Sequence, residues 1–389
     1  GPAAHRTQQL MKQLATKWRV LWVEEPRTSP LASSVELRAI GPTLNVLIPQ
    51  VGPDRQGWAS THPDWLVSVI QKQLAKAGQK PAVVWLTSPL PLPLARALQP
   101  GCLVIDCCGP HGEAGDAQAW EAQDLQHADV VFAEGEAKAL RLHAACGRAV
   151  HPIPNGVDLR HFTRPPPSHD RAPQTWAAME VHSLQGEWPG PRVGYAGAID
   201  ACLDTQLIAR MADARPDWQF VMVGPVVGID AASLPQHNNI RWLGEQPHAL
   251  LPELMRSWSL GWLPWRTSAA TVEAHPAQVL EYLACGLPVV SPWISDLASL
   301  ACAGIRWACT HAMHLAHCDA ILAQHAVPLL AEQRTARQRL QRHRWSDSAR
   351  RLEDWIYALA DPLPPALCPS GQTLQNTDAV GAESGMINS

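Results

Sequence analysis

Residues 271–292 read TVEAHPAQVLEYLACGLPVVSP, and this stretch carries the strongest indication of the fold. Two carboxylates, Glu273 and Glu281, lie in an otherwise apolar segment, on either side of a proline. Charged side chains are rarely buried without a partner, so two of them in a segment of this kind need an explanation. The segment therefore predicts either a ligand-binding pair of carboxylates or two ordinary solvated side chains.

The local pattern predicts a helix over 276–285 and a short strand over 288–291. Pro276 suits the first turn of a helix, where its missing N–H costs nothing, and Gly286 suits the position just past the helix end. In folds that alternate strands and helices, helix N-termini face the carboxyl ends of the strands, where ligands bind. The first turn of this helix can meet a phosphate, and Glu281 in mid-helix can accept hydrogen bonds from a diol.

The same alternation of short apolar strands and helices runs through the whole chain. Strands are predicted at 19–24, 82–87, 102–107, 129–133, 149–153, 192–197, 218–224, 239–243, 260–264, 288–291 and 305–309. Helices are predicted at 5–17, 65–76, 117–127, 204–214 and 314–325. Buried strands that alternate with helices predict an α/β fold, with parallel sheets covered on both faces. Since wound domains normally enter through a strand and this chain begins with a helix, a first β-strand is expected to be missing.

The chain is long enough for two domains of ordinary size. The boundary is expected within 163–191, where a proline-rich breaker, TRPPPSHDRAP, precedes a polar, irregular segment. The predicted units are an N-terminal domain at 1–165, a C-terminal domain at 166–343, an amphipathic helix at 344–360 and a disordered tail at 361–389.

Composition argues against several classes of function. A net charge of −4 disfavours a nucleic-acid partner, and a hydrophobic fraction of 46% supports large cores. The ten cysteines form no CxxC pair and several lie in apolar runs, which favours a reduced, cytosolic chain. No apolar run reaches the roughly 20 residues that a membrane span needs, and no signal peptide is visible. Residue 1 is Gly rather than Met, so the natural start is missing or processed.

Several segments together resemble a known enzyme family. Glu273, followed after seven residues by EYLACGLPVV, resembles the nucleotide-sugar-binding signature of family-4-like glycosyltransferases with the GT-B fold. IPNGVDLRHF at 153–162 resembles the segment that closes the first domain in that family. HRTQQLMKQLATKWRVLWVEEP, from residue 5, and VGYAGAID, from residue 193, resemble a bacterial subgroup that makes capsule, teichuronic acid and exopolysaccharide chains. The resemblance covers roughly residues 5–360.

The resemblance implies a GT-B architecture, in which two Rossmann-like, doubly wound domains face a cleft and the final helix, 344–360, crosses back to the first domain. It implies transfer of a sugar from a UDP- or GDP-linked donor to a surface polysaccharide or a lipid-linked glycan, with retention at the reacting carbon. Such enzymes generally need no metal ion and no cofactor besides the nucleotide-sugar. The implied location is the cytoplasm or the inner face of the cytoplasmic membrane.

The resemblance also assigns a donor site to the second domain. Glu281 would bind the ribose hydroxyls of the donor, and Glu273 would contact the donor sugar near its reacting carbon. Residues at strand ends, together with two neighbours of the glutamates, complete the donor-binding set: Gly197, Ala198, Gly224, Pro225, Leu243, Gly244, His275 and Gln278. A glycine lets the backbone approach a diphosphate, and the helix after Ala198 would offer free N–H groups. Taken alone, these positions also fit ordinary turns at strand ends.

The sequence departs from the family where the diphosphate charge should be neutralised. After the first strand of the second domain the family usually carries an Arg and a Lys, whereas here the loop reads GAIDACLDTQ. Gln278 stands where the subgroup often has a Lys. Because a leaving diphosphate develops charge, cations or oriented donors have to meet it. Arg266, on the cleft side, and Arg6, from the first domain, are the candidate cations, and a surface position for Arg266 is the alternative.

The first domain offers candidates for acceptor chemistry. Asp106 ends the strand at 102–107, where the subgroup often shows two acidic residues, and Asp106 or His111 could orient or deprotonate an acceptor hydroxyl. A capping role is the alternative for Asp106. An inverting enzyme would need Asp106 as its base, whereas in a retaining enzyme the donor phosphate itself can receive the acceptor proton. The helix at 5–17 is expected to face an anionic acceptor, a membrane surface or solvent.

Two other functions are consistent with the same sequence. A degenerate, non-catalytic relative would bind a nucleotide or a glycan, or act as a scaffold, and the missing cations are the reason to consider it. A sugar-nucleotide epimerase of the same fold would bind a donor but need no acceptor.

Overall fold

The computed structural model describes residues 2–30, 34–52, 57–60, 63–76, 81–108, 120–163, 180–181, 188–323 and 326–359. The predicted tail at 361–389, most of the predicted boundary at 163–191, and His111 lie outside the described residues.

Within the described residues the strands form three sheets. The strands are β1 Val20–Val23, β2 Arg27–Thr28, β3 Ser34–Ala39, β4 Leu44–Val51, β5 Val83–Leu86, β6 Cys102–Cys107, β7 Val130–Ala133, β8 His151–Pro152, β9 Arg192–Ala196, β10 Gln219–Val223, β11 Ile240–Trp242, β12 Leu260–Trp262, β13 Val289–Ser291 and β14 Ile305–Trp307. The first sheet has the order β1-β4-β2, with β3 also paired to β4, and the second has the order β5-β6-β7-β8. The third has the order β11-β10-β9-β12-β13-β14.

The six-stranded sheet of the C-terminal half is parallel throughout and doubly wound. From β9 the chain first adds β10 and β11 on one side, and then returns to add β12, β13 and β14 on the other. In sheets of this kind a crevice opens outside the carboxyl ends of the strands where the order reverses, and ligands bind there. The prediction of an α/β fold with parallel sheets is confirmed, and every predicted strand overlaps an observed one.

The first sheet of the N-terminal half departs from the expectation of purely parallel strands. Strand β3 runs antiparallel to β4, with Val35 opposite Pro49. The residues between these strands, 40–43, are too few for the crossover that parallel neighbours require, so only a hairpin can form. Strands β2, β3 and β4 were missing from the sequence prediction. Pro49 lies inside β4, where a proline is unusual.

The described helices pack on the faces of these sheets. They are α1 Pro2–Leu14, α2 Gly57–Ser60, α3 Pro63–Lys76, α4 Leu92–Ala97, α5 Ala122–Leu125, α6 Glu136–Cys146, α7 Leu159–Phe162, α8 Thr205–Ala214, α9 Leu251–Arg256, α10 Ala269–Val272, α11 Ala277–Ala284, α12 His311–Ala323, α13 Ala326–Leu340 and α14 Trp345–Leu359, with short 3-10 helices at Ala231–Ser233, His248–Leu250 and Ser295–Ala303. The helix predicted at 276–285 is present as α11, with Pro276 as its N-cap. None of the helices that the structure describes is both long and apolar enough to cross a membrane.

Helix α14 packs against the N-terminal half rather than against the C-terminal sheet that precedes it. Trp345 and Leu352 lie in one buried cluster with Leu10 of α1 and Phe132 of β7. The Lys17 Nζ donates to the Glu353 carboxylate over 2.7 Å, next to this cluster. The end of the described chain therefore holds α1 against the sheet of β5 to β8.

Tryptophan fills part of the C-terminal core beside a glycine. The Trp258 ring is buried, and a Cβ on Gly194 of β9 would overlap it. We expect Gly194→Ala to lower the free energy of unfolding by about 2 kcal/mol, because neither the central strand nor the indole has room to shift. Urea unfolding measures the loss, with Gly41→Ala as the control, since its added Cβ would meet nothing within 4 Å. A loss equal to that of the control would contradict the packing described here.

Candidate functional site

A cavity of about 320 Å³ lies at the carboxyl ends of β9 and β10, between the C-terminal and N-terminal halves. Among the predicted site residues, those that line it are Arg6, Gly197, Ala198, Gly224, Pro225, His275, Gln278 and Glu281. The other predicted residues, Asp106, Leu243, Gly244, Arg266 and Glu273, do not line it. The cavity lies where the reversal of strand order places a crevice, and residues far apart in the sequence meet there.

Two glycines at adjacent strand ends form one wall of the cavity from backbone alone. Gly197 follows β9 and Gly224 follows β10, and the Gly197 N–H donates to the Val223 carbonyl over 2.9 Å. A Cβ on Gly224 would overlap the Gly197 carbonyl oxygen, and Gly224 has a φ of +147°, which favours glycine. A Cβ on Gly197 would lie 2.7 Å from the Gln278 Nε2 and from the Tyr195 hydroxyl oxygen. A ligand can approach this wall closely because both residues lack a side chain.

The helix after Ala198, α8, does not present an open N-terminus. The Asp204 carboxylate accepts a hydrogen bond from the Leu207 N–H over 2.9 Å, and its second oxygen lies 2.9 Å from the His311 Nε2. Partial burial would raise the pKa of Asp204, but the hydrogen bonds from Leu207 and His311 outweigh it and lower the pKa. A carboxylate of the chain itself therefore occupies this N-terminus. The expectation that α8 offers its N–H groups to a phosphate was wrong for this reason.

The N-terminus of α11 is open to the cavity instead. Pro276, Ala277 and Gln278 line the cavity, and no side chain caps the helix. The first turn of a helix carries a partial positive charge and N–H groups without partners inside the helix, which favour an anion. The arrangement therefore provides one place for a phosphate beside the glycine wall.

Glu281 lies on α11 and faces the cavity as a buried carboxyl group. Its side chain is 5% exposed, and burial raises its pKa from 4.5 to about 8. The helix around it is apolar because Val279, Leu280 and Leu283 pack into the core of the C-terminal half. At neutral pH this burial therefore keeps Glu281 largely protonated, and a ligand that donates hydrogen bonds to it favours the ionised form.

A chain of buried hydrogen bonds joins the N-terminal half to the loop before α11. The Arg6 Nη1 donates to the Asn155 Oδ1 over 2.8 Å, and the Asn155 Nδ2 donates to the His275 carbonyl oxygen over 2.5 Å. The His275 ring stacks on His343 with 6.3 Å between ring centres. Burial, with the nearby His343, lowers the pKa of His275 to about 4, so its imidazole is neutral at physiological pH.

Asp106 is the partner of Arg6 rather than a group that faces the cavity. The Arg6 Nε and Nη2 donate to its two carboxylate oxygens over 3.0 and 3.1 Å. Arg6 is 2% exposed and Asp106 is fully buried. Burial alone would lower the pKa of Arg6, but the charge of Asp106 and its hydrogen bonds raise it. Since both Asp106 oxygens are bonded and none reaches the cavity, the structure does not support Asp106 as the base for an acceptor hydroxyl.

Glu273 and Arg266 lie beside the cavity, with their side chains held elsewhere. The Arg141 Nε of α6 donates to the Glu273 carboxylate over 2.5 Å. The Arg266 Nε donates to the Leu203 carbonyl over 3.1 Å. Neither residue lines the cavity, whereas their neighbours Thr271 and Ala274 do. The structure therefore does not bring these two predicted catalytic side chains together with the rest of the site.

The sequence prediction assigned Leu243 and Gly244, which follow β11, to the donor site, but the residues that line the cavity come slightly later in the chain. The Leu243 N–H donates to the Met222 carbonyl over 2.9 Å, and the Gly244 carbonyl accepts from the Gly224 N–H over 2.8 Å. Both residues thus continue the pairing of the strands beneath the site. The next two residues, Glu245 and Gln246, line the cavity.

The charge of the cavity wall matches the shortage of cations seen in the sequence. Among the described lining residues, Arg6 is the only Lys or Arg, whereas the lining carboxyl groups are Glu134, Asp200, Glu245 and Glu281. Burial raises the pKa of Asp200, and it raises that of Glu281 to about 8, so Glu281 adds little negative charge at neutral pH. In the part of the chain that the structure describes, no group of three or more His, Cys, Asp or Glu side chains is placed to hold a metal ion.

Three lining residues of the N-terminal half, Gln8, Glu134 and Asn155, were not among the predicted site residues. Glu134 follows β7 and bonds to the Lys138 Nζ over 2.5 Å, with both side chains buried. Asn155 lies in the PNGVD segment, which was assigned only to the end of a domain. The signal for Glu134 was available, since it is a carboxylate at the carboxyl end of a predicted parallel strand.

Residues 191–322 match the family model described as Glycosyl transferases group 1. A teichuronic acid biosynthesis glycosyltransferase, as its name describes it, of Bacillus subtilis (strain 168) is 28% identical over 176 residues. The match takes in 44% of this chain and 42% of that protein, so it spans less than half the length of this curated relative.

Solved structures with the same fold extend over nearly the whole chain. A UDP-forming α,α-trehalose-phosphate synthase from Burkholderia xenovorans is 12% identical, with a TM-score of 0.65, over 92% of this chain and 97% of its own. Anabaena Alr3699/HepE, solved in complex with UDP and glucose, is 14% identical, with a TM-score of 0.63, over 92% and 96%. The fold is thus that of GT-B glycosyltransferases, and the family model supports a group 1 glycosyltransferase. The narrower teichuronic acid subgroup rests on the Bacillus relative alone.

Proposed function

We propose that this chain is a glycosyltransferase that moves a sugar from a nucleoside-diphosphate donor, UDP in preference to GDP, to a hydroxyl of a surface polysaccharide or a lipid-linked glycan. The observation that carries the proposal is the position of buried Glu281 on α11, in one cavity with the glycine wall and the open helix N-terminus. Two structural neighbours support UDP, because one is named as UDP-forming and the other was solved with UDP and glucose.

The donor would lie across the carboxyl ends of β9 and β10. Glu281 would accept hydrogen bonds from the two ribose hydroxyls, since a carboxylate has two oxygens that can pair with a diol. The diphosphate would lie against Gly197 and the first turn of α11, where N–H groups and the helix dipole meet its charge. Glu245 and Gln246, at the end of the wall, would border the base. No metal ion is needed in this arrangement.

The transfer step would retain the configuration of the reacting carbon. The bond between that carbon and the donor phosphate oxygen breaks, the bond to the acceptor oxygen forms on the same face, and the acceptor proton passes to the departing phosphate. The phosphate can take this proton itself, so the burial of Asp106 away from the cavity does not prevent the reaction. The helix N-terminus would stabilise the charge that develops on the leaving diphosphate.

The acceptor would enter from the side of the N-terminal half. Arg6, Glu134 and Asn155 line that side, and the lining residues described there offer one cation to an acceptor. Since Asp106 already balances the Arg6 charge, we expect a neutral hydroxyl-bearing acceptor rather than a multiply phosphorylated one. The cytoplasmic face of the membrane, where lipid-linked glycans and nucleotide-sugars are both present, is the proposed place of action.

The experiment that tests the proposal is a panel of UDP- and GDP-sugars, screened for thermal stabilisation and for slow hydrolysis of the donor without acceptor. We expect one UDP-sugar to stabilise the protein and to be hydrolysed. Gly197→Ala should weaken its binding about tenfold, because the new methyl group fills the space beside Gln278 and Tyr195. Gly41→Ala is the matched control.

The remaining outcomes of the panel separate the alternatives. Stabilisation without any turnover, with or without glycan acceptors, would favour a non-catalytic nucleotide-binding protein. Release of an isomerised nucleotide-sugar would favour an epimerase. The absence of stabilisation by every nucleotide would contradict the donor site itself.

A further inference from the structure

Helix α6 of the N-terminal half touches the C-terminal half at two places beside the cavity. The first is its N-terminus, where the Ala137 N–H donates to the Asp296 Oδ1 over 3.2 Å. A Cβ on Gly135 would overlap the Asp296 carboxylate, so this close approach needs a glycine. A carboxylate of one half therefore caps a helix of the other half.

The second contact is the ion pair between Arg141 and Glu273. It joins α6 to the loop that carries Thr271, Ala274 and His275 into the cavity wall. The side chains of Arg141 and Glu273 are 40% and 19% exposed. Between Thr271 and Gln278, two residues do not line the cavity, Val272 and Glu273. The Glu273 carboxylate bonds to Arg141 of α6 instead.

We propose that these two contacts form an interdomain latch, and that Arg141 is a positioning residue that holds Glu273 out of the cavity until a donor sugar competes for its carboxylate. The proposal rests on the proposed function, because the competitor is the sugar part of a nucleotide-sugar. The latch is defined as the contacts of Gly135, Ala137 and Arg141 with Asp296 and Glu273. The nucleotide part of the donor binds away from the latch and does not open it.

The strength of the two contacts suits such an exchange. A partly exposed ion pair gains little net energy in water, so hydroxyl groups of a sugar can replace Arg141 as the partners of Glu273. Asp296 bonds to the N-terminus of α6, whereas Arg141 lies further along that helix. The Asp296 hydrogen bond therefore keeps the two halves together while Glu273 turns. Opening of the pair therefore changes the affinity for the sugar without separating the domains.

The first test compares UDP with UDP-glucose by calorimetry in three proteins: the unaltered chain, Arg141→Ala and Arg215→Ala. We expect Arg141→Ala to bind UDP-glucose about three- to tenfold more tightly, with unchanged affinity for UDP, because Glu273 no longer has to leave a partner. Arg215→Ala breaks a partly exposed ion pair to Asp319 within the C-terminal half and should change neither affinity. Unchanged or weaker binding of UDP-glucose by Arg141→Ala would overturn the proposal.

The second test needs no ligand and separates a failed latch from a failed donor site. We expect Arg141→Ala and Asp296→Ala to speed hydrogen exchange at the backbone amides of residues 136–141 and 271–276, while Arg215→Ala leaves it unchanged. The charge-exchanged protein, Arg141→Glu with Glu273→Arg, should recover slow exchange. It should also bind UDP-glucose no better than UDP, because an arginine at 273 cannot accept hydrogen bonds from the sugar.

If hydrogen exchange is unchanged in both Arg141→Ala and Asp296→Ala, the latch is overturned whatever the nucleotide-binding results are. Faster exchange in a protein that binds no nucleotide would leave the latch standing as an interdomain contact, and would contradict both the competition with a sugar and the proposed function. The charge-exchanged protein could still bind UDP-glucose more tightly than UDP, by the same factor as the unaltered chain. This result would show that Glu273 does not contact the sugar, and it would overturn the proposed replacement of Arg141 by the sugar.

Discussion

Asp106→Asn should lower the free energy of unfolding by about 3–5 kcal/mol, the largest effect of a single substitution that we expect in this chain. The Arg6 guanidinium is almost fully buried, and both Asp106 oxygens accept its hydrogen bonds. The asparagine removes the balancing charge and leaves a buried cation, which costs far more than the loss of one hydrogen bond. Urea unfolding with a fluorescence readout measures the change.

Two further variants test whether the loss of stability comes from the buried charge of Arg6. Asp319→Asn breaks the partly exposed pair with Arg215 and should cost no more than about 1 kcal/mol. The double variant Arg6→Met with Asp106→Leu removes both charges and should regain more than half of the loss, even where Asp106→Asn alone fails to fold. A loss below that of Asp319→Asn would mean that the Arg6 charge is not buried as described.

The second large effect is a pH dependence of stability that Glu281→Gln should remove. Burial raises the pKa of Glu281 from 4.5 to about 8, so the folded protein holds this proton more tightly than the unfolded chain. The resulting stability is fully present below about pH 4.5 and is lost as the pH rises through about 8. It amounts to about 5 kcal/mol. Urea unfolding at pH 5, 7 and 9 measures the free energy of unfolding of the unaltered chain and of Glu281→Gln. The histidines titrate in both proteins, so the difference between the two free energies reports on Glu281. Parallel profiles would contradict the burial of an ionisable carboxyl group.

The same residue should control nucleotide binding in a different way. Glu281→Ala should weaken the binding of UDP roughly 100-fold, because two hydrogen bonds to an ionised group are lost. Binding to the unaltered protein at pH 7 should release a proton, since the ribose hydroxyls favour the ionised form of a group whose burial keeps it largely protonated in the free protein. Calorimetry in two buffers of different ionisation enthalpy measures the proton. Uptake of a proton, or equal affinity in Glu281→Ala, would contradict the ribose contact.

The part of the site that could be predicted from the sequence is the part built by local structure. Pro276 and Gly286 mark the ends of α11, and that helix fixes which way Glu281 and Gln278 face. The glycines after β9 and β10 could be placed because parallel strands end at one edge of a sheet. These features depend on neighbours within a few residues, and the structure places them in the cavity wall.

The partners of charged side chains could not be predicted in this way. Asp106 pairs with Arg6, which is 100 positions away in the sequence, and Glu273 pairs with Arg141, which is 132 positions away. Hydrophobic periodicity gives no information about pairs so far apart in the sequence. Asp106 was assigned to catalysis because it ends a strand, and Glu273 because its segment resembles the donor-binding signature of the family. In the structure the carboxylate of each residue bonds to an arginine, and neither residue lines the cavity.

The central claim is that a nucleoside diphosphate binds in this cavity through Glu281 and the N-terminus of α11. A crystal structure of the protein with UDP tests it most directly. The account predicts both ribose hydroxyls within hydrogen-bond distance of the Glu281 carboxylate, with the diphosphate between Gly197 and the first turn of α11. UDP bound at the α8 N-terminus, or bound with its ribose away from Glu281, would contradict it.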